Sequence, residues 1–226
     1  MRLALPTLIL ALPIAAQEKQ QTDPEIERLL RIADDMKAAL SMGNLEPALK
    51  LVAEASAGIS QRDNTQKFVQ LEASLPSDDS PRLTALAPVA RAAYEALDDA
   101  KAETYARELL TLAEKYPKHE DYGYALYVGN MVLGRVALRR DKNVEEAKAC
   151  LFRSGHTPGS AMLNSCGPNM SLAKDLLEAG EGEAVVKFFG QCRRFWQLHG
   201  KKLDQWTAIV EKGCCRIPNF GGNLIY

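Results

Sequence analysis

Residues 171–192 read SLAKDLLEAGEGEAVVKFFGQC, and they contain two runs of apolar side chains on either side of Gly180. Within each run the apolar residues recur at the spacing of one face of an amphipathic helix. A glycine after the last apolar residue of the first run is typical of a helix end. The connection is so short that the two helices are expected to be antiparallel neighbours. The segment therefore predicts a helical hairpin whose second helix extends to Trp196.

Paired apolar runs with the same spacing occur in three other parts of the chain, at residues 24–43 and 44–55, 83–97 and 102–116, and 121–138 and 144–151. Asp23 and Pro24 suit the start of the first helix, because aspartate can cap a helix and proline fits its first position. Pro88 is expected to kink or break its helix. A last helix is predicted at residues 201–212, and no segment alternates apolar and polar residues as a strand would. The sequence thus predicts an all-α protein.

The helix pairs around Gly43 and Gly180 share a register. Small or bulky apolar residues follow each glycine at plus five, nine and twelve: Ala48, Val52 and Ala55 in one pair, and Val185, Phe189 and Cys192 in the other. This spacing resembles that of the tetratricopeptide repeat. The resemblance implies antiparallel helix pairs stacked as a short α-solenoid, an architecture that offers a concave binding surface. An irregular helical bundle is the alternative, because amphipathic stripes alone do not distinguish a stack from a bundle.

The first sixteen residues differ from the rest of the chain. Arg2 supplies a positive charge, residues 3–14 form a nearly continuous apolar run, and Ala15 and Ala16 are small residues of the kind found at a cleavage site. The apolar run is shorter than the roughly 20 residues of a spanning helix, although a retained membrane anchor is the alternative. We therefore expect residues 1–16 to be a signal peptide. The protein would be exported, to the periplasm or outside the cell, with no stable membrane span after cleavage.

The remaining residues, 17–226, are predicted to form a single helical-repeat domain. Residues 58–81 lack a sustained apolar stripe and are expected to be a linker with at most one short helix, at residues 63–75. Residues 213–226 are expected to be a C-terminal tail. Its apolar side chains would fold back and cover the open end of the stack, and they are Phe220, Leu224, Ile225 and Tyr226.

Residues 155–170, GHTPGSAMLNSCGPNM, are rich in turn-forming residues and are the least repeat-like part of the chain. Together with the tail, they resemble the C-terminal region of uncharacterised exported bacterial proteins, and this resemblance implies no particular activity. His156, Asn164 and Asn169 are candidates for contacting a partner. The alternative for both asparagines is that they cap helices and close turns, as asparagine beside glycine and proline usually does.

Arg193, Arg194 and Trp196 belong to the one cluster of basic and aromatic residues in the sequence, and they are further candidates for partner binding. Aromatic residues at such a place more often anchor a core than stack on a ligand. The formal net charge is −1, which gives no basic footprint for nucleic acid. Predicted export also argues against a nucleic-acid partner.

All five cysteines lie in the last third of the chain. In an exported protein they could form disulfides, for example from the Cys214-Cys215 pair to Cys192. Buried free thiols are the alternative. No two metal ligands stand at the close spacing of a zinc site, so the sequence predicts neither a metal nor another cofactor. A composite zinc site that joins Cys150 and His156 to distant residues is the alternative.

The sequence contains no nucleophile elbow, no phosphate-binding glycine loop and no redox cysteine motif, so it points away from an enzyme without naming a function. From the architecture we expect an interaction module outside the cytoplasm that binds a peptide or protein on its concave face. One alternative is a small-ligand or metal-binding helical protein, hydrolytic or not, that uses residues 155–170. Another is a structural component of envelope assembly.

Overall fold

The computed structural model describes residues 24–43, 45–213 and 217–224. Within these residues the chain forms helices and turns and contains no strand, which confirms the all-α fold. The predicted signal peptide, Asn44, Cys214 and Cys215, and the last two residues lie outside the described part of the chain.

The structure has a helix at each predicted position, and the two helices are in contact in three of the predicted pairs, at residues 83–116, 121–151 and 171–192. The helices are α1 (Pro24–Ser41), α2 (Leu45–Ala73), α3 (Asp79–Glu95), α4 (Asp99–Lys115), α5 (Tyr122–Arg139), α6 (Val144–Gly155), α7 (Ala161–Ser165), α8 (Ser171–Glu178), α9 (Gly182–Cys192) and α10 (Lys202–Glu211). Two short 3-10 turns, Gln197–His199 and Gly221–Leu224, were not predicted, and neither was α7. Helix α9 ends at Cys192 rather than at Trp196. Pro88 lies inside α3 and does not end it.

The chain divides into two compact units, one that ends at Gly58 and one that begins at Ile59. In the first unit, α1 ends before Gly43, whose φ of +71° is readily adopted by glycine. Among the described residues of this unit, the buried apolar side chains are Ala39 and Ala48. Many of its larger apolar side chains are exposed, among them Leu30, Leu40, Met42, Leu45 and Leu49.

The segment near residues 58–81, expected to be a linker with at most one short helix at residues 63–75, is helical up to Ala73, and its helix is the continuation of α2 rather than a separate one. The side-chain amides of Gln61 and Asn64 donate to the carbonyl oxygens of Ala96 (2.8 Å) and Glu95 (3.4 Å) at the end of α3. Carbonyls at a helix end have no partner within their own helix, so these amides satisfy them. Phe68, further along the same helix, is buried. This part of α2 is therefore held partly by polar side chains, whose tertiary contacts cannot be read from the spacing of apolar residues.

The helices of the second unit pack against their neighbours in sequence order. Helix α3 contacts α4 and α5, α5 contacts α6 and α8, and α9 contacts α6, α8 and α10. Close approach around α5 depends on Gly134, where a Cβ would lie 2.4 Å from Leu172 and 2.9 Å from Cys150. The first helices of three consecutive pairs, α3, α5 and α8, thereby form one continuous surface.

The C-terminal tail folds back as predicted where it is described. Phe220 is buried, with its ring centroid 4.9 Å from that of Trp206 and 6.2 Å from that of Phe189. The side-chain amide of Asn223 donates to the carbonyl oxygens of Cys166 (3.2 Å) and Pro168 (3.1 Å). The tail therefore joins the last helices to the segment that precedes α8.

Candidate functional site

A cavity of about 250 Å³ opens on the surface that α3, α5 and the start of α8 share. Its walls combine aromatic, thioether and aliphatic side chains with a few polar groups. The residues that line it are Arg91, Tyr94, Glu95, Tyr124, Tyr127, Val128, Met131, Val132, Arg135, Met162, Leu163, Gly167, Asn169, Ser171 and Leu224. An apolar concavity with a few convergent polar groups is the usual form of a ligand site.

Helix α5 supplies the largest wall of the cavity. Its lining residues stand three or four positions apart or next to one another, which places them on one face of the helix: Tyr124, Tyr127, Val128, Met131, Val132 and Arg135. Arg91 and Tyr94 stand three apart on α3 and supply the second wall in the same way. The third wall comes from residues 162–171 and from Leu224 in the tail.

The third wall is held in place by hydrogen bonds to distant residues. The Tyr127 hydroxyl donates to the Asn169 carbonyl oxygen at 2.5 Å, so a wall residue of α5 fixes the segment that faces it. The Thr157 hydroxyl donates to the Gly123 carbonyl oxygen at 2.6 Å. A Cβ at Gly167 would lie 2.4 Å from the Trp196 ring, so only glycine allows this close approach. Much of residues 155–170 therefore serves to pack this segment against α5 and Trp196.

Arg135 and Tyr94 form the charged end of the cavity. The Arg135 guanidinium lies 4.1 Å from the centroid of the Tyr94 ring and pairs with Glu95 at 2.8 Å and Asp175 at 2.9 Å. The Arg139 guanidinium lies 3.5 Å from the same ring. Burial raises the pKa of the Tyr94 phenol, so this side chain is neutral at pH 7. Burial opposes the charge of Arg135, but its neighbours, Asp175 first among them, hold its pKa above the ordinary value.

Asn169 makes the local hydrogen bond expected of a turn-closing residue, whereas Asn164 makes a long-range one. The Asn164 side-chain oxygen accepts from the backbone N–H of Gln197 at 2.9 Å. The Asn169 side-chain oxygen accepts from the backbone N–H of Ser171 at 2.8 Å, at the start of α8. His156 is exposed, with its Nδ1 atom 2.6 Å from the Phe152 carbonyl oxygen. Of these three candidates, Asn169 is the one that lines the cavity.

The basic and aromatic cluster does not form one shared surface. Trp196 is 1% exposed, with its ring centroid 5.8 Å from that of Trp206, so it is a core anchor. The exposed Arg193 pairs with Asp204 at 2.5 Å. Arg194 donates to the Gly155 carbonyl oxygen at 3.0 Å. Within the described residues, the buried Trp196 Nε1 has no hydrogen-bond partner.

Cys150 and Cys192 are buried and are free thiols among the described residues, whereas Cys214 and Cys215, the partners considered for a disulfide with Cys192, lie outside them. Burial raises the pKa of Cys150 to about 11 and that of Cys192 well above its ordinary value. Both thiols are therefore protonated and unreactive at neutral pH. In the described part of the chain, no group of three or more His, Cys, Asp or Glu side chains could hold a metal ion.

Most of the cavity-lining residues are not among the partner-binding candidates that the sequence suggests. Tyr94, Tyr124, Tyr127 and Arg135 lie within predicted helices and carry no motif that marks them as a site. A signal was present, because Tyr124 and Tyr127 stand three apart on a helix that was already predicted. Two tyrosines with this spacing place two rings with hydroxyl groups on the same face of a helix. Aliphatic residues would be sufficient for packing alone, so this pattern indicates a candidate binding surface.

Comparison of the chain with family models, with curated proteins and with solved structures finds no match. The fold therefore defines a class rather than a family: an all-α protein whose helices pack in sequence order. Among the helices that the structure describes, none is long and apolar enough to cross a membrane. Function is argued from the cavity and its surroundings.

Proposed function

We propose that this protein is an exported helical-repeat protein that binds a peptide segment of a partner protein on the surface formed by α3, α5 and α8. The observation that carries the proposal is the cavity of about 250 Å³ on that surface. Helical-repeat stacks commonly bind partners on an extended concave surface. A concave, mostly apolar site on that surface supports the same role here.

The composition of the cavity wall supports a protein partner. Tyrosine and arginine are enriched at protein interfaces. They are also common among the few residues that contribute most of the binding free energy. Three tyrosines and two arginines line this cavity. Tyr124 is half-buried, so its ring can contact both the wall and an incoming group. We therefore expect replacement of Tyr124 to weaken partner binding without leaving a large cavity in the hydrophobic core.

The test is a selection of peptides from a random displayed library on the purified protein, followed by affinity measurements with variants. Tyr124→Ala should weaken the selected peptides by at least about tenfold, because an interfacial tyrosine commonly contributes more than 1 kcal/mol. Tyr122→Ala is the matched control, since Tyr122 lies on the same helix and does not line the cavity. Equal losses in the two variants, or none, would contradict the proposal.

A small-ligand-binding protein that uses residues 155–170 is the second candidate. It is favoured by the four residues of that segment that line the cavity: Met162, Leu163, Gly167 and Asn169. The same variants separate the two functions. If the selection yields no peptide while a small-molecule library yields ligands that Tyr124→Ala no longer binds, the second candidate is correct.

A further inference from the structure

We infer that the cavity between α3, α5 and residues 162–171 receives an uncharged aromatic side chain of the partner peptide, one that carries a hydrogen-bonding group. This rests on the proposed function and names the chemistry of the partner. Four features of the cavity lead to it: its size, the character of its walls, the pairing of its charges and the hydroxyl of Tyr94.

The size of the cavity fits a substituted aromatic ring. A cavity of about 150 Å³ lined by apolar side chains is enough to bind benzene. The cavity here, at about 250 Å³, has room for a ring with a small substituent. It has too little room to enclose a helix or a strand, so a partner would insert a single side chain.

The walls favour an aromatic guest over an aliphatic one. Met131 and Met162 bring two thioethers to the cavity, and sulfur–aromatic contacts are favourable. The rings of Tyr94, Tyr124 and Tyr127 can pack edge-to-face or offset against a further ring. A saturated side chain of the same size would gain neither kind of contact.

The charges around the cavity are paired within the protein. Arg135 pairs with both Glu95, at 2.8 Å, and Asp175, at 2.9 Å. Arg91, the other cation of the lining, also has an interaction of its own. A charged ligand group would give up its hydration on entry and would find these counter-charges already engaged, which is costly. The cavity therefore favours an uncharged group.

The hydroxyl of Tyr94 is a polar group that such a ligand can satisfy. Tyr94 lines the cavity and is 6% exposed, and its ring lies against the guanidinium groups of Arg135 and Arg139. Its hydroxyl makes no hydrogen bond with the described residues, whereas the Tyr127 hydroxyl already donates to the Asn169 carbonyl oxygen. A nearly buried hydroxyl without a protein partner costs free energy unless water or a ligand bonds to it. A ligand hydroxyl, which can donate or accept, would take the place of that water.

The experiment measures the binding of five small probes to the full chain by NMR titration. The probes are p-cresol, toluene, 4-methylcyclohexanol, 4-hydroxyphenylacetate and tyramine. The uncharged phenol p-cresol should bind at least several-fold more tightly than the saturated 4-methylcyclohexanol, the anionic 4-hydroxyphenylacetate and the cationic tyramine. A charged or saturated probe that binds as tightly as p-cresol would overturn the inference.

The comparison of p-cresol with toluene, which lacks the hydroxyl, tests the hydrogen bond. Tyr94→Phe keeps the ring against the two guanidinium groups and removes one hydrogen bond. It should therefore lower the affinity for p-cresol relative to that for toluene by about three- to tenfold. Tyr124→Phe, the matched change at a half-buried tyrosine of the same cavity, should leave this ratio unchanged. A ratio that stays the same in Tyr94→Phe, or that falls in Tyr124→Phe instead, would overturn the inference.

A third variant connects the probes to the cavity. Met162 lines the wall and is 48% exposed, so its replacement puts folding at little risk. Met162→Ala should weaken p-cresol and toluene alike. Unchanged binding of both probes in this variant would place them elsewhere on the protein and overturn the inference.

The selected peptides separate this inference from the proposed function. If they share a tyrosine or a tryptophan, and p-cresol competes with them, both hold. If they lack an aromatic residue but are still lost in Tyr124→Ala, the proposed function stands and the inference fails. If no peptide is selected although the probes bind in the expected order, the proposed function fails and the ligand is a small phenol. If probes bind only after Ile225 and Tyr226, which follow the cavity residue Leu224, have been removed, the occupant belongs to this chain and the inference fails.

Discussion

Gly123 is in close contact with the Thr157-Pro158-Gly159 segment, and only a glycine fits there. A Cβ at Gly123 would lie 1.9 Å from the Gly159 carbonyl oxygen and 3.0 Å from the Thr157 hydroxyl. That hydroxyl donates to the Gly123 carbonyl oxygen and accepts from the Gly159 N–H, at 2.6 and 3.1 Å. The motif therefore fastens the segment before α8 to the start of α5.

Gly123→Ala is expected to lower the free energy of unfolding by about 1–3 kcal/mol, because the added methyl group meets backbone atoms that cannot rotate away. Urea denaturation followed by circular dichroism measures this change. Gly190→Ala is the control, since Gly190 lies in α9 with nothing within 4 Å of a new Cβ. That variant should be neutral or more stable by about 0.5–1 kcal/mol. A Gly123→Ala protein as stable as the control would disprove the close contact.

At the scale of the element, α2 is the helix that sequence patterning underestimated. Residues 59–73 expose most of their side chains. Their sequence predicts at most one short helix, at residues 63–75. They are helical in a unit where Phe68 is buried and Lys101 pairs with Glu72 at 2.7 Å. The helix is stabilised by partners about 30 residues further along the chain, since Glu72 and Lys101 are 29 positions apart.

Asp63→Pro distinguishes a helix from a linker at this place. A proline inside a helix removes a hydrogen bond and clashes with the preceding turn, so the free energy of unfolding should fall by about 3 kcal/mol. Helical circular dichroism at low temperature should also fall. Ser77→Pro, in the short connection between α2 and α3, is the control and should cost much less. If both substitutions had the same small effect, residues 59–73 would be a linker after all.

At the scale of the whole molecule, the two units differ in how much apolar surface they bury. Among the described residues of the first unit, Ala39 and Ala48 are the buried apolar side chains. The second unit buries most of the apolar side chains of α3, α4 and α5, among them Leu83, Leu86, Leu109 and Tyr127. Apolar burial is the main favourable contribution to folding, so local stability is expected to be unequal along the chain.

Hydrogen exchange measured by mass spectrometry tests this difference. After correction for intrinsic rates, amides of residues 24–57 should exchange at least about tenfold faster than those of residues 83–113. Helix α2 begins in the first unit and ends in the second. Its residues 62–73 belong to the second unit, so they are the internal control and should be as protected as the rest of that unit. Uniform protection of both units would show that the exposed apolar side chains of α1 and α2 are covered in solution.

Sequence alone determined the all-α fold, the order of the helix pairs and most helix ends, because these depend on residues close together in the chain. Apolar residues three or four positions apart and a glycine after the last of them are local signals. The hairpin around Gly180 was predicted for this reason, and the structure places α8 and α9 there. The burial of Trp196 and Phe220 could also be anticipated, since large aromatic side chains seldom remain outside a core.

Only the tertiary structure decided the length of α2, the division into two units and the cavity. Each depends on residues that are far apart in sequence. Tyr127 and the Asn169 carbonyl that it binds are 42 positions apart, and Gln61 and the Ala96 carbonyl are 35 apart. Helical periodicity places Tyr124 and Tyr127 on one face but does not say which segment lies opposite. That is decided by tertiary packing, which brings α3, α5 and residues 162–171 together around the cavity.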